Sequence, residues 1–153
     1  MVHESGPWRT QDYEKLSWHD CHVHGWKFGG FNDAEGAADL VLDIDYIMKW
    51  ERDGDAFQFT VCRAELTFHD AFRLNFSLDY VTPTAGMSPF TIREIERQPL
   101  EAPNGYKSFR WNIEISWPKG FLTFEAPGFT QRLVGKPYVQ PNQALSSDQR
   151  RSS

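Results

Sequence analysis

The chain has 153 residues, enough for one domain with a real core, and its 40% hydrophobic and 24% charged residues exclude a disordered or fibrous polypeptide. Sixteen Lys+Arg against twenty-one Asp+Glu leave a net charge of −5 with no basic stripe, so no nucleic-acid partner is expected. No apolar run approaches the roughly 20 residues of a membrane span, and the two cysteines, Cys21 and Cys62, make no disulfide framework.

From Met1 to Leu16 the chain lacks the apolar core of a signal peptide, and Thr10–Leu16 can form a turn or two of helix. Residues 1–16 therefore read as an N-terminal extension of a cytoplasmic protein with no membrane contact. A single β-domain is predicted over residues 17–135. Its first strand, His22 to Phe28, is short and ambiguous in phase. Leu40 to Tyr46 then sets Leu40, Leu42, Ile44 and Tyr46 on one face, with Asp43 and Asp45 on the other. Side chains alternate between the faces of a strand, so this period-two pattern marks one packed face and one wet face. Phe57 to Val61 leads through a bulge at Arg63–Glu65 into Leu66 to Phe68. Phe72 to Tyr80 is apolar at every even position.

The long connection Val81–Pro89 is bracketed by prolines and lacks a phosphate-binding glycine pattern. In Phe90–Arg97, Ile92 and Ile95 are out of strict phase, which predicts a bulge or an edge strand. Phe109 to Trp117 alternates cleanly again, and Leu122–Glu125 and Phe129–Leu133 complete about eight strands. Asp53-Gly54, Asn104-Gly105, Trp117-Pro118-Lys119-Gly120 and Ala126-Pro127-Gly128 are hairpin turn chemistry, so neighbours are antiparallel. The fold class is thus an all-β antiparallel meander, closed as a sandwich or a partly open barrel. Residues 136–153, with Pro137, Pro141 and a polar end, read as a disordered tail.

One internal echo stands out. Trp18-His19-Asp20-Cys21 recurs as Phe68-His69-Asp70-Ala71, each copy aromatic-His-Asp-small and each placed to open a strand. With Leu40–Tyr46 (LVLDIDY), Leu66–Asp70 (LTFHD), Phe76–Thr84 (FSLDYVTPT) and Gly128–Leu133 (GFTQRL), the chain resembles a family of uncharacterised bacterial all-β proteins from Ser17 to Gly135. The His-Asp motif bears a looser likeness to immunity-type β-domains. The resemblance implies a bacterial source and brings no activity.

Three chemical readings follow. If the two His-Asp copies converge, His19, Asp20, His69 and Asp70 form a two-His, two-carboxylate metal site; otherwise Asp serves a turn and His spaces the strand. If His22 and His24 share the phase of Trp26, these three line a ligand cavity inside the sheet. The opposite phase turns Val23 inward and both histidines to water, with Gly25 absorbing a bulge. Asp43 and Asp45 read as a solvated strand face. Most aromatics fall in the apolar phase and read as core, leaving Trp8, Trp18 and Trp50 as candidates for exposure. Cys62 reads as an inert, near-core thiol. No complete catalytic constellation and no cofactor fingerprint is present, so no cofactor is expected. The expected function is binding, as an immunity-like or regulatory protein–protein module. A small-ligand barrel and a metal-dependent enzyme built on the His-Asp motifs are the alternatives.

Overall fold

A computed structural model of the chain describes residues 5–81 and 86–151. After β1 (Trp8–Arg9) comes a 3-10 helix (Thr10–Lys15) and then a run of strands: β2 (His22–Asn32), β3 (Ala37–Asp53), β4 (Ala56–Leu78), β5 (Phe90–Glu101), β6 (Lys107–Trp117), β7 (Gly120–Ala126), β8 (Gly128–Leu133) and β9 (Tyr138–Gln140). The helix α1 (Ser147–Arg151) closes the chain. Every pairing is antiparallel, and the order is β1-β8-β4-β3-β2-β5-β6-β7, with β7 returning to pair with β4 and β9 also on β4. Six strands therefore form a closed ring, and β8, β1 and β9 extend it from the long strand β4. The all-β antiparallel class follows directly from the alternating runs.

The turns behave as their residues dictate. Gly54 and Gly105 sit at φ +63° and +84°, in the hairpins joining β3 to β4 and β5 to β6. In that left-handed region a side chain is disfavoured, which is why glycine stands there. The irregularity expected around Ile92 is present: the β5–β6 register shifts on both sides of that residue, and Ile92 and Ile95 both point inward.

Aromatic and branched side chains fill the ring. Trp111, Phe68, Phe124, Leu40, Leu42, Ile44, Leu66, Ile113 and Leu122 are all essentially inaccessible. Phe68 makes edge contacts with Trp111 and Phe124 at centroid distances of 5.0 and 4.7 Å. Packed rings fill the interior, and His24 and Trp26 stand instead along an open cleft of about 390 Å³.

Three sequence expectations are corrected. The runs Phe57–Val61 and Leu66–Phe68, and Phe72–Tyr80 as far as Leu78, are parts of one 23-residue strand, β4, and the register runs through Arg63–Glu65 without a bulge. The N-terminal extension belongs to the domain: Trp8 pairs with Gln131, packs 5.5 Å from Tyr46 and is buried. The segment after Lys136 is docked: β9 pairs with Phe59–Val61, and Leu145 joins the core. Short polar composition suggested a tail, but its anchors lie about a hundred residues away and leave no local trace. No helix among the described residues is long and apolar enough to cross a membrane.

Candidate functional site

The two aromatic-His-Asp segments share a backbone feature. Asp20 and Asp70 both adopt left-handed φ, +68° and +51°, a conformation that Asp tolerates better than most residues. Trp18 and Phe68 are buried, their rings 5.7 and 6.1 Å from that of Phe129, while Cys21 and Ala71 fill small inner positions. The histidines point away from this core. His19 lies 3.3 Å from its neighbour Asp20, whereas His69 bonds the Thr130 hydroxyl at 2.8 Å and lies 3.7 Å from Asp39. Asp20 accepts from the Gln143 amide at 3.0 Å.

Among the described residues, the one group of three or more potential ligand side chains that meets is Glu94, Glu96 and Glu114. His19, Asp20, His69 and Asp70 therefore do not converge as a metal site. The second copy also does not open a strand; it sits within β4, where that strand leaves β3 after Ala71 and changes partner from β8 to β7.

The ambiguous phase of β2 resolves through a bulge at His24. Val23 opposes Ile44 and Gly25 opposes Asp43, so His24 is the extra residue between them. One extra residue inverts the alternation, and Val23, Trp26 and Phe28 all reach the inner face while His22 and His24 turn outward. This is the second of the two phases the sequence offers, with the bulge at His24 rather than at Gly25. The outer face they join is not wet. Asp45 is fully buried there and accepts from the Leu145 backbone N–H at 3.0 Å, with His24 Nε2 2.7 Å away and Arg150 closing on the same carboxylate.

Arg150 also pairs with Asp43, which receives a two-pronged contact from Arg63 at 3.1 and 3.2 Å. Burial works to raise the Asp43 pKa, but the bonds from Arg150 and Arg63 outweigh it and hold the carboxyl below its ordinary value. Burial lowers the His22 pKa, so this imidazole favours its neutral form, and its Nδ1 has no hydrogen-bond partner among the described residues. Burial raises both cysteine pKa values, Cys21 to about 12, which makes both thiols poor nucleophiles.

At the far end of the inner face the packing opens. Left-handed residues at Asp70 and Arg73 bend β4 away from β3, so Phe72–Leu78 pairs only with β7. Trp26 stacks on Phe76 at 4.6 Å and packs on Phe28 at 5.3 Å, yet Trp26 and Phe28 remain 46% and 42% exposed. A cleft of about 390 Å³ runs on one side of this cluster, walled by Trp26, Leu78, Tyr80, Met87 and Phe90. A second, of about 400 Å³, lies on the other, walled by Phe28, Phe31, Ala38, Ala71, Phe72 and Leu74. We refer to this region as the mouth.

Phase alone placed Trp26, Phe28 and Phe76 in the core. They share its face but lie beyond the point where the strands still close over it. Trp8 and Trp18, singled out for exposure, are buried, and Trp50 is exposed. Thr82–Ala85 of the proline-bracketed loop lies outside the described residues. No protein-family model matches the chain, and no curated protein matches it.

Proposed function

We propose that this protein is a binding domain whose contact surface is the mouth, and that it receives an extended apolar segment of a protein partner along the free edge of β2. The observation that carries this reading is the half-exposed aromatic cluster of Trp26, Phe28 and Phe76 beside an unpaired strand edge. Buried aromatic anchors flanked by clefts are the usual energetic centres of protein interfaces. β2 meets β5 only at His22 and Val23, so from Trp26 to Asn32 its second edge has no strand partner among the described residues. No described residue stands within 4 Å of where a Cβ would project at Gly25 or Gly29, which leaves room for another backbone to approach. Strand addition supplies main-chain hydrogen bonds, and the two clefts would take alternate side chains. The likeness to immunity-type domains points the same way, towards contact rather than catalysis.

Selection from a displayed library of random linear peptides tests the proposal. Sequences alternating apolar and polar residues should be enriched, and their affinity should fall at least about tenfold in Trp26→Ala. Trp50→Ala, which removes an equally exposed ring at the opposite end of β3, should leave affinity unchanged. Enrichment without alternation, or binding indifferent to Trp26→Ala, would remove the reading.

A further inference from the structure

The segment that follows β8 is held in an unusual way. Its helix α1 has five residues, none of them buried, and a helix that short has no stability of its own. Its strand β9 contributes three paired residues. Within the segment, Gln140 donates to the carbonyls of Asn142 and Ala144 at 2.9 Å each and accepts from Gln149 at 2.7 Å, a knot that makes it one unit. Towards the ring, its side-chain anchors include Leu145 in the core, the half-buried Tyr138 against it, and polar contacts to three carboxylates: Gln143 to Asp20, and Arg150 to Asp43 and Asp45. The Leu145 N–H adds a backbone bond to Asp45. The Asp45 carboxylate also contacts His24, the residue that makes the β2 bulge.

We infer that residues 138–151 form a latch with Arg150 as its catch, opening as a unit while the ring stays folded, and that opening frees the β2 bulge at His24. Few apolar contacts and reliance on charge-assisted hydrogen bonds are the marks of a segment that opens locally before the protein unfolds. The coupling is physical and short. Asp45 is inaccessible only while the segment lies over it; once exposed, its carboxylate is hydrated, and the fixed bond to His24 must compete with water. Because the bulge sets which β2 residues face inward, the latch controls the strand that carries Trp26 and Phe28. This inference stands on the outer-face contacts and does not require that the mouth bind anything.

Hydrogen exchange on the full chain, comparing the wild type with Arg150→Ala, tests it. The amides of residues 138–140 and 145–151 should exchange at least about tenfold faster, the scale of losing a charge-assisted bond. Those of residues 24–27 should accelerate severalfold, and those of Ile113, Leu122 and Phe124 should not change. Arg150→Lys keeps the charge without the fork that spans two carboxylates, and should show the same pattern in smaller measure. An unchanged segment would overturn the inference. So would acceleration that stops short of β2, or acceleration that spreads equally into the ring.

Discussion

The two faces of β3 bury opposite kinds of side chain within the same few residues. Inward, Leu40, Leu42 and Ile44 meet Phe68, Leu66 and Ala64 across the strand pair, with hydrocarbon on every side. Outward, Asp43 and Asp45 oppose Glu65 and Arg63, and Asp45 is as inaccessible as its apolar neighbours. The inner face is stabilised by area removed from water, which is non-directional and tolerates modest reshaping. The outer face is stabilised only while each charge keeps its partners, because a buried carboxylate without them costs several kcal/mol, on the order of the stability of a small domain. Asp45 is as buried as Leu42 and Ile44, and the energetic meaning of that burial differs.

Removing one ring from the inner face should have the largest effect. Trp111 is fully buried, packs against Phe68, Phe109 and Phe129, and donates its indole N–H to the Ala126 carbonyl at 2.9 Å. Trp111→Ala opens a cavity and orphans that carbonyl, and should cost about 3–5 kcal/mol in urea unfolding. No second substitution among the inner side chains should restore most of this loss, since a void is not relieved by removing its walls. A loss below about 1 kcal/mol would mean that the ring can collapse around the gap.

The outer face should respond differently to the same treatment. Asp45→Ala leaves Arg150 without one of its two carboxylates and the Leu145 N–H without its acceptor, and should cost about 3 kcal/mol. The double variant Asp45→Ala, Arg150→Met should recover part of that loss, because the cation left with Asp43 as its one remaining carboxylate goes too. Additive losses would show that the cluster acts as packing rather than as a charge network, and the contrast between the faces would fail.

Which of these features the sequence discloses depends on how local their causes are. The inner face of β3 and the strands around it can be read from alternation, since period two is a property of neighbouring residues. The hairpins can be read from Asp53-Gly54 and Asn104-Gly105 for the same reason. The His24 bulge cannot: His22 to Phe28 permits either phase, and only pairing with Ile44 and Asp43 decides it. The outer-face cluster was hidden more deeply. Asp43 and Asp45 look like solvated residues until Arg150, more than a hundred positions later, is seen to cover them. The mouth was half legible, because composition and phase identify Trp26, Phe28 and Phe76 as apolar-face residues. That β4 turns away at Asp70 and Arg73 and leaves them uncovered is a tertiary fact. The His-Asp echo was legible as a motif, but spacing alone does not distinguish a left-handed Asp, a backbone role, from ligation.

Acid separates the two faces by a smaller effect. The inner face offers Cys21 and Tyr46, whose pKa values burial raises to about 12, so neither takes up a proton as pH falls below neutral. The outer face offers His22 and Asp43, both with folded pKa values below their ordinary ones. For His22, burial is the main cause, opposed by Asp45 and assisted by His24. The unfolded chain protonates this histidine near its ordinary value of 6.5 while the folded chain resists, so stability declines as pH falls below that point and until the folded pKa is passed. Asp43 follows the same sign lower down: its contribution is present above its ordinary value of 3.8 and disappears as pH falls through the lower folded pKa. Urea midpoints measured from pH 7.5 to 3 should therefore fall in two stages. His22→Gln should flatten the first stage, and Arg150→Ala, which removes a bond that holds Asp43 ionised, should flatten the second. Trp111→Ala should shift the whole profile down without changing its shape, because its loss is hydrocarbon and carries no proton. Equal pH profiles for wild type and His22→Gln would mean that this imidazole is as free to charge in the folded protein as in the unfolded chain.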